Sequence, residues 1–394
     1  MLKPLLLLAA TATLTSARYA VTLSPTLHTG PISADYLTPS LDQSDLDSPK
    51  LSHVNASTFD WWTFDALSIE NPNVSLAVTF STAGPVGYPL SLPNTTRIEP
   101  VPGNGTQSNN GALWAHIWAT FEDGRRLSVA VPVETARMSG SGDSSIAIWH
   151  GAGGWMGSEE GYEVEFEVNR TEARDGLEPL RVMGRISYEK ITPSHSHCSI
   201  PNNFSTALGL GEQGLGWVSV MPDAIASVDV DVNGTRLRFD GYGSHDKIWS
   251  NRPFTQSTKS LTRGRAHLGL HSISWLSYTP TNSNNNNNPT GNTLVSSFVA
   301  RDGEPVSSGC AENSVSIEPT REQTEGGLVS GFAVAVPGAR ISVATDVEER
   351  GGGGGGREGE GGYVRWNGRA RGTVGEGEGA ADEEGVAIFE RFEY

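Results

Sequence analysis

Apolar and polar residues alternate with a period of two along most of the chain beyond residue 52. That spacing places successive side chains on opposite faces of a strand. In 112–120, Leu113, Ala115, Ile117 and Ala119 share one face, and Trp114, His116, Trp118 and Thr120 the other. Asp123-Gly124 supplies a hairpin turn, and 127–133 reads as the return strand. Tyr162, Val164, Phe166 and Val168 alternate with Glu163, Glu165 and Glu167, and 181–189 is a further strand. The pattern restarts near 216–222: Val228, Val230 and Val232 alternate with Asp229 and Asp231, Asn233-Gly234 makes a turn, and 236–239 returns. Later strands are predicted at 266–278, 294–301, 314–317, 328–336, 341–347, 363–366 and 385–392. No long run carries a helical stripe. Many short strands joined by Gly, Pro and Asn turns predict an all-β chain, folded as antiparallel sandwich or barrel.

At 394 residues the chain is too long for one small core and predicts two domains, 51–220 and 221–394, with a boundary near Met221. Residues 18–50, rich in Pro, Ser and Asp, read as an extended N-terminal arm. Residues 1–17 combine Lys3, a Leu/Ala run and Thr15-Ser16-Ala17, the pattern of a signal peptide; the apolar run is too short to span a bilayer, and nothing later is a transmembrane candidate. Asn-x-Ser/Thr acceptors at Asn55, Asn73, Asn94, Asn104, Asn169, Asn203 and Asn233 point the same way, to a glycoprotein of the secretory pathway. Two low-complexity stretches, 279–292 and 348–362, are expected to be loops. A formal net charge of −17 argues against nucleic acid or an anionic membrane as partner.

Cofactor and hydrolase motifs are absent. The hexaglycine 351–356 lacks the Gly-Lys-Ser/Thr of a phosphate loop, and neither Gly-x-Ser-x-Gly nor His-Glu-x-x-His occurs. No local motif selects a glycosidase pair from the many carboxylates. His195-Ser196-His197-Cys198 has no second ligand pair with zinc spacing. Cys198 and Cys310, the two cysteines, can pair in an oxidising compartment, closing a loop of about a hundred residues worth about 4–5 kcal/mol in the chain-entropy model.

Chemistry-bearing residues gather in 241–254, which reads Gly-Tyr-Gly-Ser-His-Asp-Lys-Ile-Trp-Ser-Asn-Arg-Pro-Phe. Two readings stand. The stretch closes over a ligand pocket, its aromatics giving shape and its polar groups orientation; or it is a structural corner in which Asp246 and Lys247 pair while Trp249 and Phe254 plug a barrel end. Adjacent Trp61 and Trp62 must face opposite ways on a strand, one filling its barrel and the other turned outward or toward the second domain.

The 241–254 stretch resembles the Gly-x-x-His-Asp-Lys-x-Trp-(Gly)-x-x-Pro-Phe motif of the lipocalin-like family that includes carotenoid 1,2-hydratases (hydroxyneurosporene synthases) and fungal Diels–Alderases. Phe59-Asp60-Trp61-Trp62-Thr63-Phe64-Asp65-Ala66 is similar to a second motif of that family, and Trp366-Asn367-Gly368-Arg369-Ala370-Arg371-Gly372 with Gly385-Val386-Ala387-Ile388-Phe389-Glu390 to a third. Ser250 departs from the glycine expected after Trp249. The resemblance spans nearly the whole mature chain and implies two lipocalin-like barrels or half-barrels in tandem, with a pocket at or near their interface. It implies a [4+2] cycloaddition of a hydrophobic polyene bearing a polar head, with no cofactor. Trp61 or Trp62, Trp114, Trp118 and Trp249 would wall the cavity. His245, Lys247 or Tyr242 would donate to a substrate carbonyl, Asp246 would orient one of them, and His116 is a second donor. In a hydratase, Asp65 or Asp246 would protonate an alkene. A lipid carrier without catalysis is the alternative from another class.

Overall fold

The structure, a computed structural model, describes residues 17–36, 45–87, 112–170, 179–197, 209–210, 215–281, 293–311, 313–320, 331–351, 362–375 and 380–394. Among them, strands dominate and form two curled antiparallel sheets, one of fourteen strands and one of nine. The only helix among the described residues is the single turn Phe254–Ser257.

The first sheet begins at one edge with Tyr19–Leu23 and continues through the meander Ala136–Ser141, Ser144–Trp149, Gly153–Gly157, Gly161–Arg170 and Leu180–Lys190. Next comes the long hairpin Leu215–Val232 and Thr235–Ser250, and then Phe59–Ser68, Ser75–Ala83, Leu113–Thr120 and Arg126–Pro132. Its inner face closes over Trp62, Phe64, Phe80, Trp149, Trp155 and Tyr162, with Leu113, Ala115, Ile117 and Ala119 on the same side. The predicted alternation in 112–120 and 162–168 therefore faces as expected. The second sheet runs Glu304–Gly309, Leu294–Arg301, His271–Pro280, Thr258–Leu268, Ala381–Glu393, Gly362–Val374, Ala339–Gly351, Gly331–Val336 and Ser316–Pro319. It curls around Trp275, Trp366, Phe332 and Phe389.

Three expectations change. The boundary near Met221 falls inside the unbroken 18-residue strand Leu215–Val232; the chain changes sheet at 251–257 instead. What restarts at Val228 is one-sided burial: the strand is buried on both faces up to Ala224 and alternates buried with exposed from Ile225. The predicted strand 266–278 is a hairpin, turned by Gly269 at φ 53° between Leu268 and His271. Glycine adopts that angle at low cost. The described residues of the arm 18–50 are packed onto the first sheet: Tyr19–Leu23 pairs with Ala136–Ser141, Ala34 bridges Leu51, and Asp45, Leu46, Asp47 and Lys50 are buried.

The sheets meet through the outer face of the first. One end of the contact is a dry cluster of Phe59, Trp61, Trp217, Phe254, Tyr278 and Phe392. The other end is a small plug of Leu67, Val386 and Ile388, with Tyr242 against it.

Candidate functional site

The strand Thr235–Ser250 lies between Leu215–Val232 and Phe59–Ser68. Strand alternation therefore divides its chemistry between two faces. His245, Lys247 and Trp249 turn into the first sheet, while Tyr242, Ser244 and Asp246 turn toward the second. Asp246 consequently does not orient His245 or Lys247.

On the inner face His245 is fully buried and stacks on Phe64 with ring centroids 3.9 Å apart. Its Nδ1 is 3.0 Å from the Thr63 carbonyl oxygen and its Nε2 2.8 Å from Asp47 Oδ1. Asp47 Oδ2 also accepts from Ser145 Oγ at 2.6 Å and Tyr162 Oη at 2.7 Å. Burial alone would raise the Asp47 carboxyl; His245 and these hydrogen bonds overcome it and hold it at about 2. Lys247 Nζ donates to Asp60 Oδ1 and sits 3.6 Å from the centre of the Trp62 ring. Burial pushes the Lys247 amine down to about 7 and the Asp60 carboxyl up. Trp249 donates its indole N–H to the Asp35 carbonyl at 2.8 Å, and Tyr36 stacks on its ring. This face is packed with aromatic rings, so His245 and Lys247 belong to a buried polar core.

On the outer face a narrow cleft opens between the sheets. It is lined by Asp65, Trp217, Ser219, Ser244 and Asp246 from the first sheet and by Arg263, Arg265 and Glu390 from the second. Arg263 bonds Asp246 Oδ2 at 2.6 Å through Nη1 and Glu390 Oε2 at 2.7 Å through Nη2. Arg265 bonds Asp65 Oδ1 at 2.6 Å, and Ser244 Oγ donates to the same oxygen at 3.1 Å. Tyr363 Oη donates to Glu390 Oε1 at 2.7 Å. Burial raises both Asp65 and Glu390, but their arginine neighbours outweigh it and leave both lowered. Asp246 differs: burial raises its carboxyl, and Arg263 and the Ser219 hydroxyl offset that only in part. Three buried polar atoms of the lining, Asp246 Oδ1 and the indole N–H groups of Trp217 and Trp275, have no hydrogen-bond partner. Buried groups of this kind are normally satisfied by protein or by ordered water. Trp275 reaches the lining from the other side of its sheet because Gly264 has no Cβ; a Cβ there would lie 2.4 Å from the indole ring. The space left is about 30 Å³, room for one water.

The structure thus brings Asp65 and Asp246 to one cleft. Trp61 packs into the dry cluster beside it and Trp62 into the first core, so the pair does face opposite ways. Tyr242 stacks on His267 at 3.5 Å beside the apolar plug. Trp114, His116 and Trp118 lie on the outer face of their strand, paired opposite Ser81, Thr79 and Ala77; His116 Nε2 meets Ser128 Oγ at 3.0 Å, and burial pushes its ring down to about 3. Sequence reasoning missed Asp47, because its partner His245 is 198 positions away, and missed Arg263, Arg265 and Trp217. The spacing of Arg263, Arg265 and His267 on one strand face was the available signal.

Among the described residues no group of His, Cys, Asp and Glu is placed to hold a metal, and no helix is long and apolar enough to cross a membrane. His195 is buried and meets Ser296 Oγ at 2.9 Å. Cys310 is disulfide-bonded; Cys198 lies outside the described residues. Asn169 and Asn233 are exposed and Asn55 and Asn73 half-buried, while Asn94, Asn104, Asn203 and residues 1–16 lie outside the described residues.

Comparison with known proteins agrees with this architecture. The crystal structure of CghA with Sch210972 superposes with a TM-score of 0.66 at 14% identity, over 95% of this chain and 98% of that one, which shows a common fold. The quinolone epoxide rearrangement protein asqO of Emericella nidulans is 27% identical over 284 residues, 72% of this chain and 69% of its own. The Diels-Alderase mycB of Thermothelomyces thermophilus is 23% identical over 238 residues, 58% of this chain and 48% of its own. The Diels-Alderase-like family model matches residues 101–325, more than half of the sequence, and the chain belongs to that family.

Proposed function

We propose that this protein is a cofactor-independent isomerase of fungal secondary metabolism that carries out an intramolecular [4+2] cycloaddition at the cleft between its sheets. The observation that supports this reading is the set of unpartnered polar atoms, the Trp217 and Trp275 N–H groups and Asp246 Oδ1, in a buried lining whose arginines are held in ion pairs. A cycloaddition needs no nucleophile. It needs a floppy polyene held in one reactive conformer, which removes an entropic barrier. It also gains from a donor to the carbonyl conjugated with the dienophile, where negative charge grows in the transition state. Trp217 supplies such a donor, and Asp246, when protonated, a second. The fixed pairs Arg263–Glu390 and Arg265–Asp65 keep the surroundings rigid. The space present holds one water, so substrate is admitted as the side chains of the cleft part.

A second reading, acid-assisted epoxide rearrangement, is favoured by Asp246: a buried carboxyl with raised affinity for its proton can protonate an epoxide oxygen as the C–O bond breaks. Neither reaction changes mass. The test incubates purified protein with a linear polyene tetramate and, separately, with a quinolone epoxide, and follows products by mass-resolved chiral chromatography. A single stereoisomer of unchanged mass, formed faster than without protein, supports the cycloaddition, and Trp217→Phe should slow it about tenfold, the worth of one neutral hydrogen bond. Asp246→Asn separates the readings: epoxide opening should fall about a hundredfold or more, cycloaddition far less. A product heavier by one water would establish a hydratase instead, and tight binding at the uncatalysed rate a carrier. We also place the protein in the secretory pathway, to be checked by glycosidase treatment of the secreted chain.

A further inference from the structure

Beyond the plug of Leu67, Val386 and Ile388 the contact between the sheets opens into a groove of about 680 Å³, the size of a small-molecule site. The groove and the cleft share two strand faces. Asp65 lines the cleft, Leu67 the plug and Ile69 the groove; Glu390, Ile388 and Val386 follow the same order. Glu390 and Val386 are four residues apart on one strand, roughly 13 Å. A chain of conjugated carbons spans that length.

The groove wall is amphipathic. Ile69 is 44% exposed, an uncovered apolar surface facing Val386. Arg369 and Arg371 stand on the same wall, with Ser342 opposite Arg371 and Glu384 as the one carboxylate of the groove lining; on its other side Arg371 borders Glu318, Asp382 and Glu383. Arg369 donates to the Glu70 carbonyl at 3.1 Å, which holds its guanidinium at the rim. Arg371 has no hydrogen-bond or ion-pair partner among the described residues. In a chain with a net charge of −17, two arginines and one carboxylate over an apolar floor form a local site for an anion with an apolar body.

We infer that this groove is the outer binding site for the substrate, and that the substrate is a long-chain molecule with an acidic head ionised at neutral pH. The head pairs with Arg371 and Arg369 and the chain lies over Ile69 and Val386, from which it passes the plug into the cleft. This rests on the inter-sheet reading of the reaction, and it can fail separately.

The test is direct binding of parinaric acid, a fluorescent conjugated-tetraene fatty acid, and of its methyl ester. The acid is expected to bind one per chain. Arg371→Ala and Arg369→Ala should each weaken it about tenfold while leaving the ester and the melting temperature unchanged, and Ile69→Asp should weaken both ligands. In turnover assays the arginine variants should raise KM and leave kcat intact. Binding that is absent, or that ignores both arginines and Ile69, overturns the proposal even if isomerase activity is found. Arginine-dependent binding without any isomerisation sustains the groove and removes the proposed reaction.

Discussion

At the scale of single residues, the most consequential contact is Asp47 with His245. Three groups converge on a buried carboxylate, and its lowered proton affinity shows how strongly they favour its charge. Asp47→Asn should lower the melting temperature by several degrees, measured by circular dichroism, because the variant leaves Tyr162, Ser145 and His245 facing an uncharged amide. The pH dependence follows from direction. Asp47 titrates lower in the folded chain, so its contribution is complete above about pH 4 and lost as pH falls toward about 2. His116 and His195 are pushed down to about 3 by burial, so the unfolded chain takes up their protons first. Stability should fall as pH drops from about 6.5 to about 3, and His116→Leu should flatten that slope in urea titrations. The importance of His245 was legible in its motif. Asp47 was not, because it lies in a segment whose Pro/Ser/Asp composition signals only irregular chain.

At the scale of elements, one strand carries two separate sets of chemistry. Residues 244–247 read as a single polar cluster, yet the period of two sends half of them into an aromatic core and half into the cleft. Lys247→Met should therefore act on stability: it leaves the Asp60 carboxyl buried without its cation, a loss of about 3–5 kcal/mol. Turnover per folded molecule should be retained, and Lys247→Met with Asp60→Leu should recover much of the stability. Loss of turnover at an unchanged melting temperature would instead place Lys247 at the substrate. Strand positions, the Asp123-Gly124 and Asn233-Gly234 turns and the opposite facing of Trp61 and Trp62 were all legible, because each depends on local pattern. The turn at Gly269 was not. It lies between Leu268 and Leu270, with no polar residue to announce it.

At the scale of the molecule, two all-β units were foreseen, but their division was set thirty residues too early, since a change in one-sided burial along a strand resembles a fresh start. The real join is covered on both sides by the dry cluster around Phe254, and ion pairs cross the interface beyond it. The two sheets should accordingly unfold together, as one calorimetric transition; two resolved transitions would mean that the interface is weaker than its burial indicates.

That interface is graded from end to end. Large aromatic rings close the end where the chain crosses from sheet to sheet, arginine–carboxylate pairs hold the middle, and three apolar residues plug the far end. Such an arrangement has a fulcrum. Substitutions near Phe254 would disturb the relation of the sheets everywhere, whereas changes at Leu67, Ile69, Val386 or Ile388 would reshape one opening and leave the rest in register. A lineage could thus exchange one substrate for another at the thin end while inheriting the thick end unaltered, and selection for a new product would have its shortest path there.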